Sequence, residues 1–129
     1  MSERRHDRLD WAFAAALGAG YVVLLLASAS SLGYARDEGF YFHAASAYEA
    51  WFELLLRDPG AALDRRAVDA AFSVNREHPA LIKSLFALSH ALFFERLGWF
   101  AEEGTSFRFP AMALAGLLLG LVYLWGARA

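Results

Sequence analysis

From Trp11 to Leu32 the chain runs 22 residues without a formal charge, against the roughly 20 that an α-helix needs to cross about 30 Å of hydrocarbon. A run of that length reads as a transmembrane helix, and it constrains everything that follows. Ahead of it, residues 1–10 carry Arg4, Arg5, His6 and Arg8, and positive charge beside a span favours retention on the cytoplasmic side. The amino terminus is therefore expected inside and the chain is expected to emerge outside. Ala27-Ser28-Ala29 also resembles a signal-peptide cleavage site, but the apolar part of such a peptide, roughly 7–15 residues, is shorter than this run. Composition agrees with a bilayer: 58% of the residues are hydrophobic and 20% charged, too apolar a balance for an ordinary soluble domain, so the excess must face lipid.

Further on, residues 79–97 and 109–127 are predicted as a second and a third span. The second holds Lys83 and His90, with Lys83 close enough to one end for its stem to reach the headgroups. The third is uncharged and carries Gly116 and Gly120 in the GxxxG spacing that permits close helix contact. Residues 98–108 form a cytoplasmic turn, and residues 33–78 a loop on the outer face. The expected fold is thus an all-α membrane protein with three transmembrane helices and an amphipathic helical extracytoplasmic loop between the first two.

That loop has helical periodicity. From Glu38 to Arg57, His43, Ser46, Glu49, Glu53 and Arg57 recur at spacings of three and four, opposite Phe40, Ala44, Ala47, Trp51, Leu54 and Leu55. Such a helix either lies in the membrane interface or packs on other protein. Asp58-Pro59 then suits the cap and first position of a second helix reaching about Phe72, and residues 73–79 read as a loop. His43 and His90 read as structural side chains.

Asp37 and Glu38 are the first functional candidates, because adjacent carboxylates at a bilayer edge are usually kept for a purpose; the alternative is that they open a helix as solvated charges favoured by its dipole. Glu77 and His78 offer a carboxylate and an imidazole, donors that suit zinc or manganese, although two adjacent ligands fall short of a site and His78 before Pro79 can equally bond to backbone. The chain has no cysteine, hence no thiolate nucleophile or thiolate metal site. A net charge of -2 without a basic stripe interleaved with aromatics argues against a nucleic-acid partner.

The order of these pieces resembles a known family. A first membrane helix is followed by Asp37-Glu38-Gly39-Phe40-Tyr41, an amphipathic loop, Glu77-His78-Pro79-Ala80-Leu81, a short helix closing on Gly98, and Phe107-Arg108-Phe109-Pro110 before another helix. This is similar to the amino-terminal part of the GT-C glycosyltransferases, in particular the branch of protein O-mannosyltransferases and bacterial aminoarabinose transferases of lipid A. There the pattern runs roughly Asp-Glu-x-x-Tyr, then His-Pro-Pro-Leu or Lys-Pro-Pro-Leu, then Arg-x-Pro. The likeness covers nearly all of the chain from Trp11 onward. It departs at Ala80, where the family usually has a second proline, and in length, so that the 129 residues are expected to be a fragment or truncated product of a longer enzyme.

The resemblance implies an integral enzyme of the bacterial cytoplasmic membrane that moves a sugar, with inversion, from a polyprenyl-phosphate donor to a hydroxyl of a protein, lipid or glycan acceptor at the outer face. Asp37 would be the base, since a carboxylate within reach can take the acceptor proton, and Glu38 would tune it through like-charge repulsion. Arg36, Arg76 and Lys83 would meet the leaving phosphate, Tyr41 and His78 would help to bind substrate, and Glu77 with His78 would be the ligands of any divalent zinc or manganese ion. The competing class is a small non-catalytic membrane subunit or scaffold in which these residues need not meet.

Overall fold

The computed structural model describes residues 8–127, which are helical without a strand. They group into two compact units, one made of the residues up to Ser31 together with those from Ala111 onward, the other of Leu32–Pro110.

The first unit pairs α1 (Arg8–Ala29) with the later part of α6 (Glu103–Gly126). Both helices are long and apolar enough to cross a membrane. They contact through small residues: a Cβ added to Gly116 would stand 2.5 Å from Val22 Cγ2 and 2.6 Å from the Gly18 carbonyl oxygen, and one on Gly120 would stand 2.9 Å from the Ala14 carbonyl oxygen. The backbones touch because no side chain separates them, which is how helices associate where lipid competes for apolar surface. Around the seam Val23, Leu24, Leu117, Leu118, Val122 and Trp125 stay exposed. Gly18 meets Gly116 and Ala14 meets Gly120, so the two helices run antiparallel.

The further span expected for residues 79–97 is not among the helices of that length and apolarity. Those residues form α5 (Ala80–Ser89), ten residues long, continued directly by π-helical turns over His90–Arg96. Among the described residues only α1 and α6 have the length and apolarity of a span. Lys83 and His90 explain the difference, since both are buried against the protein and make polar contacts there instead of facing lipid.

In the second unit α2 (Glu38–Arg57) has the bounds its periodicity predicts, but its buried face is rotated. Ala44, Ala45, Tyr48 and Glu49 are buried, whereas Phe40 is 64% exposed. The rings choose the face: Tyr48, Ala45, Ala87 and Phe107 form the core, with Phe42, Phe52, Phe72 and Phe86 packed on it. Phe107 stacks on Phe42 at 4.8 Å and on the His90 ring at 4.4 Å between centroids. The predicted single helix to Phe72 is two. Asp58 accepts from Ala61 N–H at 3.0 Å and caps α3 (Pro59–Ala62), and Asp64 accepts from Arg66 N–H at 2.9 Å and caps α4 (Arg65–Phe72). Two acidic caps six residues apart divide what one proline seemed to open. The Trp51 indole N–H donates to the Ala62 carbonyl at 2.8 Å, tying α3 to α2.

The π-helical turns end at Gly98, whose φ of +60° is the left-handed conformation that suits glycine after a helix. Within α6, Pro110 lacks an N–H and cannot bond to the Ser106 carbonyl four residues earlier. The Ser89 hydroxyl of α5 donates to that carbonyl instead, at 2.6 Å.

Candidate functional site

A hollow of about 410 Å³ opens between the start of α2 and the loop before α5, lined by Asp37, Phe40, Tyr41, His43, Val74, Asn75, Glu77 and His78. Asp37 immediately precedes α2 and makes no capping hydrogen bond. The loop across from it turns at Asn75, the one described non-glycine residue with positive φ, at +54°, and His78 N–H donates to the Asn75 carbonyl at 3.2 Å. Tyr41 and His78 face each other with ring centroids 5.1 Å apart. The Asn75 side-chain nitrogen is buried without a hydrogen-bond partner.

Lys83 holds this loop from beneath. It is fully buried, donates to the Asn75 carbonyl at 2.5 Å and the Val74 carbonyl at 3.4 Å, and lies 5.3 Å from the centre of the Tyr48 ring. A cation buried in an apolar core persists where carbonyl oxygens and an aromatic face replace its water.

Glu38 turns to a different partner from Asp37. The Arg108 guanidinium donates to both its oxygens, from Nε at 2.9 Å and from Nη2 at 2.7 Å, and also to the carbonyls of Gly33 at 2.9 Å and Leu32 at 3.3 Å. Ala35 N–H donates to the same carboxylate at 2.9 Å. The bond from Arg108 holds the Glu38 carboxyl below the usual carboxylate range, with the Ala35 amide and the guanidinium charge helping and burial opposing. The fork-to-carboxylate geometry is the strong form of an ion pair, and it fixes the turn from which Asp37 projects.

On the other side of α2, Glu49 Oε2 and His90 Nδ1 lie 2.8 Å apart, with both side chains about nine-tenths buried. Burial pushes the Glu49 carboxyl up, while the His90 charge and hydrogen bond pull it back. His90 Nε2 stands 3.5 Å from Glu103 Oε1.

Of the residues singled out in the sequence, the fold brings Asp37, Tyr41, Glu77 and His78 around one hollow. Glu38 is engaged by Arg108, Lys83 is buried under the loop, and Arg36 and Arg76 are exposed, each next in sequence to a lining residue. His43, read as structural, lines the hollow. For a metal, Glu77 and His78 supply two adjacent donors; among the described residues the three side chains whose ligand atoms converge are Glu49, His90 and Glu95. Arg108 stands in the quoted Phe107-Arg108-Phe109-Pro110 motif, but its pairing with Glu38 escapes a reading by motif, as does the Glu49–His90 pair. The available signal for Arg108 was a lone cation at the head of an uncharged run, opposite in sign to the acidic pair that follows the first run. Glu49 and His90 lie 41 positions apart and carry no local signal of their pairing. No family model, no curated protein and no solved structure matches the chain.

Proposed function

We propose that these residues carry the acceptor-activating part of an integral-membrane glycosyltransferase of the GT-C type, which passes a sugar from a polyprenyl-phosphate donor to an acceptor hydroxyl at the outer face, with inversion. The observation that supports this reading best is the shared hollow: Asp37 and the Glu77-His78 pair lie forty positions apart in the chain and line one cavity. An antiparallel α1 and α6 support it too. With the arginines before α1 inside, both ends of the intervening chain lie at the outer face, and a loop of such length is translocated largely regardless of its own basic residues.

Asp37 is the base. Its carboxylate is not spent on a helix cap, and taking the acceptor proton as the sugar bond breaks contributes typically 10²–10⁴-fold. Glu38 is a positioning residue that acts through Arg108, a change from tuning by like charge. Tyr41, His78 and Asn75 offer a ring face and hydrogen-bond donors and acceptors to the sugar or acceptor, and Arg36 and Arg76 meet the charge that grows on the leaving phosphate. Lys83 acts on substrate only through the loop it supports. No step is routed through a metal at Glu77 and His78.

The test is sugar transfer in membranes with Asp37→Asn, a change that preserves shape and capping ability. Transfer should fall at least about a hundredfold while the protein still reaches the membrane. Equal transfer by variant and parent would remove Asp37 from its role and favour a non-catalytic subunit.

A further inference from the structure

The cluster on the far side of α2 belongs to no part of the reaction above. Glu49, His90 and Glu95 each offer one ligand atom, and these atoms lie within 4.8 Å of one another. Glu49 and Glu95 also line a second hollow of about 360 Å³, together with Phe52, Glu53 and Arg96. From the ligand set and its convergence we infer that Glu49, His90 and Glu95 form a divalent-metal site, suited to Zn²⁺, which clips the π-helical segment to α2.

Three observations carry this. The first is the winding of the chain. His90 and Glu95 are five residues apart, and on an α-helix of 3.6 residues per turn they would diverge by about 140°. In the π-helical turns of His90–Arg96 the wider winding, with hydrogen bonds between residues five apart, brings the two side chains toward one face. Such turns are rare and recur at functional sites.

The second is unmet bonding capacity. Glu49 Oε1 is buried without a hydrogen-bond partner, on a residue 9% exposed. A buried carboxylate oxygen with no donor is costly, and a cation removes that cost.

The third is the donor set and its surroundings. One imidazole and two carboxylates suit zinc, and three protein ligands leave a fourth position open, here toward the hollow. His90 Nδ1 faces Glu49 and is the ligating nitrogen, while Nε2 faces Glu103 Oε1 at 3.5 Å. That is the outer carboxylate which commonly orients a metal-bound imidazole. The ion replaces the proton shared between Nδ1 and Oε2, at metal–ligand distances of about 2.0–2.2 Å. Binding therefore releases a proton and weakens as the pH falls.

The experiment is a zinc titration of the full chain in detergent against a chromogenic chelator, with thermal unfolding followed in parallel. One equivalent of Zn²⁺ should bind and raise the unfolding midpoint, and EDTA should reverse the rise. Glu95 is exposed, so Glu95→Gln leaves the fold intact and should weaken binding at least about a hundredfold, with Glu103→Gln weakening it roughly 10–100-fold as loss of an outer partner does. His78→Gln should bind as the parent does. No zinc bound by the parent, unchanged affinity in Glu95→Gln, or affinity lost in His78→Gln instead would each overturn the site.

Discussion

The two units hold helices together by opposite means. Along α1 and α6 the contact is backbone against backbone, with Gly18, Gly116 and Gly120 at the seam and large apolar side chains turned outward. Between α2 and α5 the contact is made of rings and buried ionisable groups, with Lys83, Glu49 and His90 inside. The difference teaches what each surface competes with. Where lipid is as apolar as leucine, only close approach distinguishes a neighbouring helix from the bilayer. Where water is the competitor, rings supply the driving force, and buried charges must find partners.

The sharpest break of this comparison is Gly116→Leu. The new side chain would collide with Val22 and the Gly18 carbonyl, and overpacking against backbone should cost the helix pair about 3 kcal/mol in a reversible unfolding assay in detergent. Gly20→Leu, with open space around it, should stay within about 0.5 kcal/mol. Equal losses would mean that the glycine seam is not what pairs the helices.

In the second unit Lys83→Met keeps the volume but withdraws the donor from two buried carbonyls. A loss of about 2 kcal/mol is expected, read by denaturant midpoint, together with faster proteolysis of the loop around Asn75. If the variant is as stable as the parent, the ammonium is not needed where it sits.

A smaller effect separates Glu38 from Glu49 on α2 by the sign of their pH dependence. Glu38 has its folded value lowered by Arg108, so its contribution is present above the ordinary carboxylate range and is lost as the pH falls through the lowered value. Glu49 has its folded value raised by burial. The folded state holds that proton more tightly, so stability declines as the pH rises through the raised value. Arg108→Gln should cost about 1–2 kcal/mol at neutral pH and flatten the acid limb of the stability profile, whereas Glu49→Gln should flatten the limb above it. The smallest change is expected from Asp69→Asn, which removes an exposed ion pair with Arg65 and should shift stability by less than about 0.5 kcal/mol.

The elements that were legible in the sequence are those set by an unbroken apolar run or by their own turn. The uncharged run before Leu32 and the run after Arg108 needed only a count of residues, and Asp58 announced a cap through its spacing to Pro59. The bounds of α2 followed from its periodicity, but its buried face did not. A stripe counted by polarity leaves Glu49 outside, and only His90, 41 positions away, makes its burial tolerable. The partners inside residues 79–97 were hidden for the same reason: one lysine and one histidine in an apolar segment do not announce Asn75 and Glu49, which they meet. At the candidate site, Asp37 and His78 were named by motif. That Glu38 turns away to pair with Arg108 was not, because that partner lies 70 positions beyond it.

The proline inside α6 has one more effect. Because Pro110 leaves the Ser106 carbonyl open and the Ser89 hydroxyl closes it, α5 can dock there in a single registration. A slip of one helical turn would carry the hydroxyl about 5.4 Å away and strand the carbonyl, so a residue that breaks one ladder sets the alignment of another.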